Sequence, residues 1–259
     1  MTPHKAPILL EAIDVEKHYG KFAALGGVSL RVQANTVHSV IGPNGAGKTT
    51  LFHMLTGTKT VSGGRILFDG HDVTHEPDHR RVQRGIARSF QVTSLFLSLS
   101  VRENLRLGAQ GVAPAHALNP WHEPTGPRAL TQIVDTVLAK VGLEDMADTP
   151  AGNLSHGQQR RLEVGMALSA RPKAIFLDEP TSGMGIDDLD DMKRLILSLR
   201  DEHTVVLIEH NMSIVMDISD TVTVMQLGRV LAEGLPHDIR SDDRVRAAYL
   251  GNMITGGKA

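Results

Sequence analysis

Two short stretches of this chain combine residue types that together handle a nucleoside triphosphate. Gly42-Pro43-Asn44-Gly45-Ala46-Gly47-Lys48-Thr49-Thr50 follows the pattern G-x-x-x-x-G-K-T. Glycines at that spacing let the backbone wrap a phosphate without Cβ clashes, and successive N–H groups then point inward as an anion nest. The apolar stretch Leu51–Leu55 reads as a helix, whose N-terminal dipole favours the same anion. Lys48 is spaced to reach the β- and γ-phosphates, and Thr49 to hold Mg²⁺. An ordinary glycine-rich turn is the competing reading; the strand Thr36–Ile41 before the loop and the helix after it argue against that.

The second stretch, Ala174-Ile175-Phe176-Leu177-Asp178-Glu179-Pro180, puts two carboxylates at the C-terminal end of a short apolar strand, where open α/β sheets place their ligands. Asp178 suits Mg²⁺, directly or through water. Glu179, one residue on, can polarise a water aimed at the γ-phosphate. Alone, the pair is as readily a solvated strand end stopped by proline; beside a phosphate loop it reads as catalytic. A third stretch, Leu154-Ser155-His156-Gly157-Gln158-Gln159-Arg160-Arg161-Leu162, opens a helix with Ser155 as its cap. Its first N–H groups and the Ser155 hydroxyl could bind phosphate.

The elements that must position these groups read as an α/β chain. Candidate strands at Ile8–Val15, Val28–Val32, Thr36–Ile41, Arg65–Phe68, Ala174–Leu177, Thr204–Ile208, Thr221–Gln226 and Arg229–Glu233 alternate with amphipathic stretches. The Ala174 and Thr204 runs have the short apolar character of central parallel strands. Between them Ile186, Leu189, Met192, Leu195, Ile196 and Leu199 form one helical stripe, which completes a βαβ unit. From about Val92 to Leu168 the pattern turns helical, with helices expected at Ser100–Leu107 and Ala129–Val141 and a stop at Gly142. Gly111–Pro127, with four prolines and the only tryptophan, Trp121, reads as a long loop. The expected organisation is a nucleotide-binding α/β core from residues 1–91 and 169–259, interrupted over 92–168 by a helical subdomain that carries the third stretch.

Composition excludes several classes. At 259 residues, 41% hydrophobic and 22% charged, the chain can bury a sizeable core. A net charge of −2 offers no global basic field to grip nucleic acid. With no cysteine there is no disulfide framework, thiolate metal site or cysteine nucleophile. No apolar run approaches a membrane span, and Met1–Leu10 lacks a signal-peptide layout, so any service to a membrane is expected from its cytoplasmic face. His71, His75 and His79, with Asp72, Glu76 and Asp78, look metal-like, but Pro77 interrupts any helix that would align them and a solvated loop is expected. The basic run Arg80-Arg81-Val82-Gln83-Arg84 has no interleaved aromatic platform and reads as a surface helix face or part of a docking surface.

The three stretches, in this order, closely resemble those of the ATP-binding-cassette (ABC) ATPases, with Leu154–Leu162 matching the family's signature sequence. The resemblance runs over nearly the whole chain. It implies an α/β P-loop NTPase (RecA-like) core with an antiparallel β subdomain and an inserted α-helical subdomain, hydrolysing ATP with Mg²⁺. It also implies head-to-tail pairing of two ATPase domains, each ATP lying between one phosphate loop (Gly42, Pro43, Asn44, Gly45, Ala46, Gly47, Lys48, Thr49 and Thr50 here) and the partner's signature (Ser155, Gly157 and Gln158 here). Tyr19, in His18-Tyr19-Gly20, would stack on adenine. Gln91, in Arg88-Ser89-Phe90-Gln91, would contact Mg²⁺ or the attacking water and sense a transmembrane partner. His210, ending Leu207-Ile208-Glu209-His210, would contact the γ-phosphate. Two departures stand out. His156 occupies a position where the family usually has glycine, which would bring an imidazole near the partner's nucleotide. Gly185, in Thr181-Ser182-Gly183-Met184-Gly185, replaces an aspartate common in cassettes and puts its cross-dimer contact in doubt.

Within the family, Arg88–Gln91, Leu95-Phe96, Ser100–Leu105, Gln158–Glu163, Ile208–Met212 and Ala248–Gly251 resemble the importer ATPases for branched-chain amino acids. Those imply integral-membrane permease subunits, a second ATPase subunit and, indirectly, a solute-binding protein, with the ATPase peripheral on the cytoplasmic face. Urea or short-amide importers and the lipopolysaccharide-export ATPase share much of this pattern. A soluble cassette acting on DNA or ribosomes is the rival from another class. Against it, the segment from Thr49 to Leu154 has no sustained heptads for a long coiled coil, and the chain has one set of motifs rather than two. A regulator that binds ATP without hydrolysis is opposed by the intact Asp178-Glu179 pair.

Overall fold

The structure, a computed structural model, describes residues 6–89, 95–110 and 127–255. In chain order these form β1 (Ile8–Tyr19), β2 (Phe22–Gln33), β3 (Val37–Ile41), α1 (Lys48–Leu55), β4 (Gly63–Phe68), β5 (His71–Asp72), α2 (Asp78–Gln83), β6 (Ile86–Arg88), α3 (Val101–Gln110) and α4 (Pro127–Val141). Then follow α5 (His156–Leu168), β7 (Ala174–Asp178), α6 (Ile186–Leu199), β8 (Thr204–Ile208), α7 (Met212–Ile218), β9 (Thr221–Gln226), β10 (Arg229–Gly234), α8 (Pro236–Ser241) and α9 (Asp243–Thr255). The chain divides into two compact units, residues 1–78 with 199–259, and residues 79–198.

In the first unit an antiparallel sheet runs β2-β1-β4-β5. Strand β2 begins at Phe22, well before the expected Val28, because the Gly26-Gly27 pair is absorbed as a register irregularity with Gly27 at φ 86°. The same unit holds β3 between two parallel neighbours, β8 and β9, with β10 antiparallel on β9. All five residues of β3 and of β8 are buried, as continuous apolar strands covered on both faces should be. The polar exceptions are satisfied internally. Ser39 Oγ bonds Ser219 Oγ at 2.6 Å. His38 Nε2 lies 2.8 Å from Thr223 Oγ1, whose single proton goes to Glu233 Oε2 at 2.7 Å, so the ring nitrogen is the donor. Burial holds the His38 imidazole down at about 4. Ile41, Val215, Val222, Val224, Ala232, Ile239 and Val245 form a buried cluster here, with Tyr249 packed against it.

In the second unit β6 and β7 pair in parallel, and every residue of β7 is buried. Helices α3, α4 and α5 pack through Val101, Leu105, Val134, Val137, Leu138, Val141, Leu162 and Val164. Gly165 permits this approach, since a Cβ there would come within 2.9 Å of Leu105 Cδ2. Helix α4 ends as expected, with Gly142 at φ 63° and Arg161 Nη1 donating to the carbonyls of Val141 and Gly142 at 3.3 and 3.4 Å.

Three details differ from the sequence reading. Arg81, expected on a surface helix face, is fully buried at 1% exposure on α2. The α6 stripe starts at Leu189, because Ile186 stands 82% exposed in the first turn. Strand β6 is too short at three residues to show a period. His71 joins β5, and among the described residues no group of three or more metal-ligating side chains gathers. No helix among them is long and apolar enough to cross a membrane. Trp121 lies outside the described residues.

Candidate functional site

The buried strand β3 delivers the chain to Gly42, where φ is 147° and a Cβ would stand 2.2 Å from the Met225 carbonyl oxygen. Only glycine fits. Gly47, at φ 99°, is similarly constrained by the Ala24 carbonyl, 2.9 Å from where its Cβ would be. Between them Ala46 N–H donates to Pro43 O at 3.1 Å, and Gly228 N–H, from the β9–β10 turn, donates to Ala46 O at 3.0 Å. Helix α1 then starts from a left-handed Gly47 that, having no side chain, supplies no side-chain cap. Lys48 is buried, and its Nζ donates to Gly42 O at 2.8 Å and Pro43 O at 3.2 Å, which holds the ammonium inside the loop. Thr49 and Thr50 are half-buried in the first turn, and Asn44 and Gly45 form an exposed tip. A cradle that excludes Cβ atoms, a helix N-terminus and an ammonium group together fit the phosphates of a nucleotide.

Other groups of the first unit sit on neighbouring elements. Tyr19 ends β1, 42% exposed, with Lys17 Nζ and Lys59 Nζ at 5.3 and 5.4 Å from its ring centroid. The half-exposed ring thus makes cation–π contacts with two lysines. His210 follows β8 and donates its backbone N–H to Glu209 Oε2 at 3.0 Å, as Asn211 does at 3.4 Å, so the buried Glu209 carboxylate fixes the strand exit. Tyr249 of α9 packs against the buried cluster that contains Ile41, and burial pushes its phenol up to about 12.

The second unit holds the carboxylates and the signature. Strand β7 ends at Asp178, 7% exposed. Glu179 follows at φ 51°, a left-handed conformation uncommon outside glycine. Ser182 N–H closes back on Glu179 O at 3.1 Å. The signature helix α5 carries a complete capping box: Gln158 N–H donates to Ser155 Oγ at 3.2 Å and Ser155 N–H to Gln158 Oε1 at 2.8 Å. Gly157 is buried, and a Cβ on it would fall 2.2 Å from the Asp188 carboxyl carbon. His156 Nε2 lies 3.1 Å from Ser182 O. Further along α5, burial raises the Glu163 carboxyl, opposed by Arg160 at 2.9 Å.

The structure thus groups the loop residues, Tyr19 and His210 in one unit, and Asp178, Glu179, Ser155, Gly157 and Gln158 in the other. Gln91 lies outside the described residues. Three residues at these sites were not singled out for them from the sequence. Tyr249 stood in the Ala248–Gly251 stretch, whose only signal was family resemblance. Asp188 and Gly228 act through tertiary contacts that leave no local pattern, although a Leu-Gly pair between two strands marks the β9–β10 turn.

Known proteins resemble this chain in sequence and in fold. The ABC transporter family profile matches residues 25–182, and a profile described as branched-chain amino acid ATP-binding cassette transporter matches residues 229–253. The high-affinity branched-chain amino acid transport ATP-binding protein BraF of Pseudomonas aeruginosa is 39% identical over 249 residues, covering 94% of this chain and 98% of that protein. Its LivG counterpart in Escherichia coli K12 is 36% identical over the same coverage. The lipopolysaccharide export system ATP-binding protein of Haemophilus influenzae is 34% identical, covering 95% and 98%. Among solved structures, a nucleotide-free ATP-binding cassette from an ABC transporter aligns with a TM-score of 0.81 at 32% identity over 94% of this chain and 99% of that one. A cassette in its ADP conformation aligns at 0.83, also 32% identical, over 95% and 100%.

Proposed function

Because the chain belongs to the ABC transporter family as an ATP-hydrolysing cassette, we propose that it powers the import of branched-chain amino acids through separate permease subunits. The observation that carries the choice of solute is the match at residues 229–253, a stretch outside the nucleotide motifs. The similarity to a lipopolysaccharide export ATPase reflects the shared engine. The working assembly is a head-to-tail pair of ATPase subunits bound peripherally to permeases at the cytoplasmic face, served indirectly by a solute-binding protein.

Each site residue has a chemical task in this reading. Lys48 and the backbone of the Gly42–Thr50 loop hold the β- and γ-phosphates, and Tyr19 stacks on adenine. Thr49, Asp178 and Gln91 would hold Mg²⁺, which when bound neutralises phosphate charge. Glu179 orients the attacking water and accepts its proton, and His210 donates to the γ-phosphate. Ser155, Gly157 and Gln158 face the partner's ATP, where fixed donors stabilise developing charge.

The test is Glu179→Gln. It keeps ATP binding and lowers turnover at least about a hundredfold. Capture of this variant from detergent-solubilised membranes with Mg-ATP recovers multi-span permease chains and an ATPase partner. Recovery of ribosomes or DNA without membrane protein overturns the transporter reading.

A further inference from the structure

The first residue of the signature helix reaches the turn that follows the catalytic carboxylate. His156 Nε2 lies 3.1 Å from the Ser182 carbonyl oxygen. A carbonyl only accepts, so Nε2 carries the proton, and this holds whether the ring is neutral or cationic. The ring also lies on the next residue: a Cβ added to Gly183, itself at φ 75°, would meet Nε2 at 3.2 Å. Ser182 in turn donates its N–H to Glu179 O at 3.1 Å. Glu179 sits at φ 51°, a conformation that costs a non-glycine residue of order 1 kcal/mol or more and persists only where its surroundings hold it.

We propose that His156 is a positioning residue for Glu179. It clamps the turn 179–183 to the start of α5 and so holds the general base at its working angle. Glycine at position 156 could make neither contact. The inference rests on the reading above, in which Ser155 meets the partner's ATP while Glu179 serves the chain's own. His156 then joins the two, one covalent link from Ser155 and one hydrogen bond from the Glu179 turn. Seating the partner's nucleotide on the signature is felt at this chain's own water-activating group.

Two variants of the whole chain test this. His156→Phe keeps a ring but loses the donor, and His156→Gln keeps an uncharged N–H donor. The phenylalanine variant should lower kcat roughly three- to tenfold, the scale of one positional hydrogen bond, with KM for ATP and Tm unchanged. The glutamine variant should restore kcat to within about twofold. Hydrogen exchange of the nucleotide-free chain supplies a readout without turnover: protection over residues 179–184 falls in His156→Phe and returns in His156→Gln. Unchanged kcat in His156→Phe overturns the proposal. So does a raised KM with unchanged kcat, which is the mark of a nucleotide contact, or an equal fall in Tm in both variants. If Glu179→Gln instead leaves turnover intact, the base assignment fails, while the exchange measurement still decides whether the clamp exists.

Discussion

The chain has two helix starts suited to phosphate, and it prepares them in opposite ways. Helix α1 begins at a left-handed Gly47 with no side-chain cap, and its ammonium, Lys48, is folded into the loop. Helix α5 begins at Ser155 with a full capping box and with the Asp188 carboxyl packed on Gly157. Helix openings need their first N–H groups satisfied. At α1 the backbone is held by contacts from behind, and the cap residue is a glycine with no side chain to offer. At α5 the chain bonds its own cap, and in the proposed pairing phosphate would share or displace the Ser155–Gln158 pair. In the proposed pairing, the first is a site built in advance and the second is converted by a partner's nucleotide.

The largest effect should come from breaking the rigid side of that comparison. Gly42→Ala forces a Cβ onto the Met225 carbonyl and should weaken ATP binding about a hundredfold, roughly 3 kcal/mol, measured by titration with a fluorescent nucleotide. The chain should otherwise remain folded by circular dichroism. Near-normal affinity would mean that the loop is not preset by its backing strands.

This contrast also explains what was legible in the sequence. The loop, the β7 carboxylates and the Ser155 cap are local patterns, and each appeared with its neighbours in place. Gly142 stopped α4 for the same reason: a left-handed helix terminus is a property of a few adjacent residues. Arg81, His38 and Tyr249 were opaque because a charge run or a lone ring says nothing about which element covers it. The exposed Ile186 failed in the other direction, since a periodic stripe does not show where its first turn leaves the core.

Acid should separate the two units next. His38 sits at about 4 instead of 6.5, so below pH 6.5 the unfolded chain takes up a proton that the folded chain refuses. Stability is therefore lost as pH falls from 6.5 toward 4, by about 2 kcal/mol between pH 7 and 5. The raised Glu163 works the other way, because a folded state that protonates earlier gains stability as pH falls through its pKa. Urea midpoints with hydrogen exchange at pH 7 and 5 should show residues 37–41 and 221–226 losing protection while 156–168 keep theirs. His38→Met should flatten the midpoint difference; a difference that persists in this variant removes His38 as its cause.

The smallest effect separates capping from phosphate binding at Ser155. Ser155→Ala should cost about 1 kcal/mol of stability, read as a lowered Tm. Ser155→Asp caps equally well but adds a negative charge, so Tm should hold while ATP-driven pairing, followed by light scattering in the Glu179→Gln background, is lost. Pairing that survives the aspartate would show that α5 does not meet phosphate through this residue.

Strand β3 also sets when the loop can exist during synthesis. Its neighbours are β8 and β9, and the Asn35 N–H just before it bonds Thr204 Oγ1, 169 residues further along. Tyr249, which packs against the cluster around Ile41 at the end of β3, comes later still. On a ribosome, which releases chain from the N-terminus onward, the complete G-x-x-x-x-G-K-T segment emerges early but has no wall to shape it until most of the protein has followed. ATP binding by a nascent chain should therefore be silent through most of translation and switch on late, which makes nucleotide occupancy a signal that the subunit is finished.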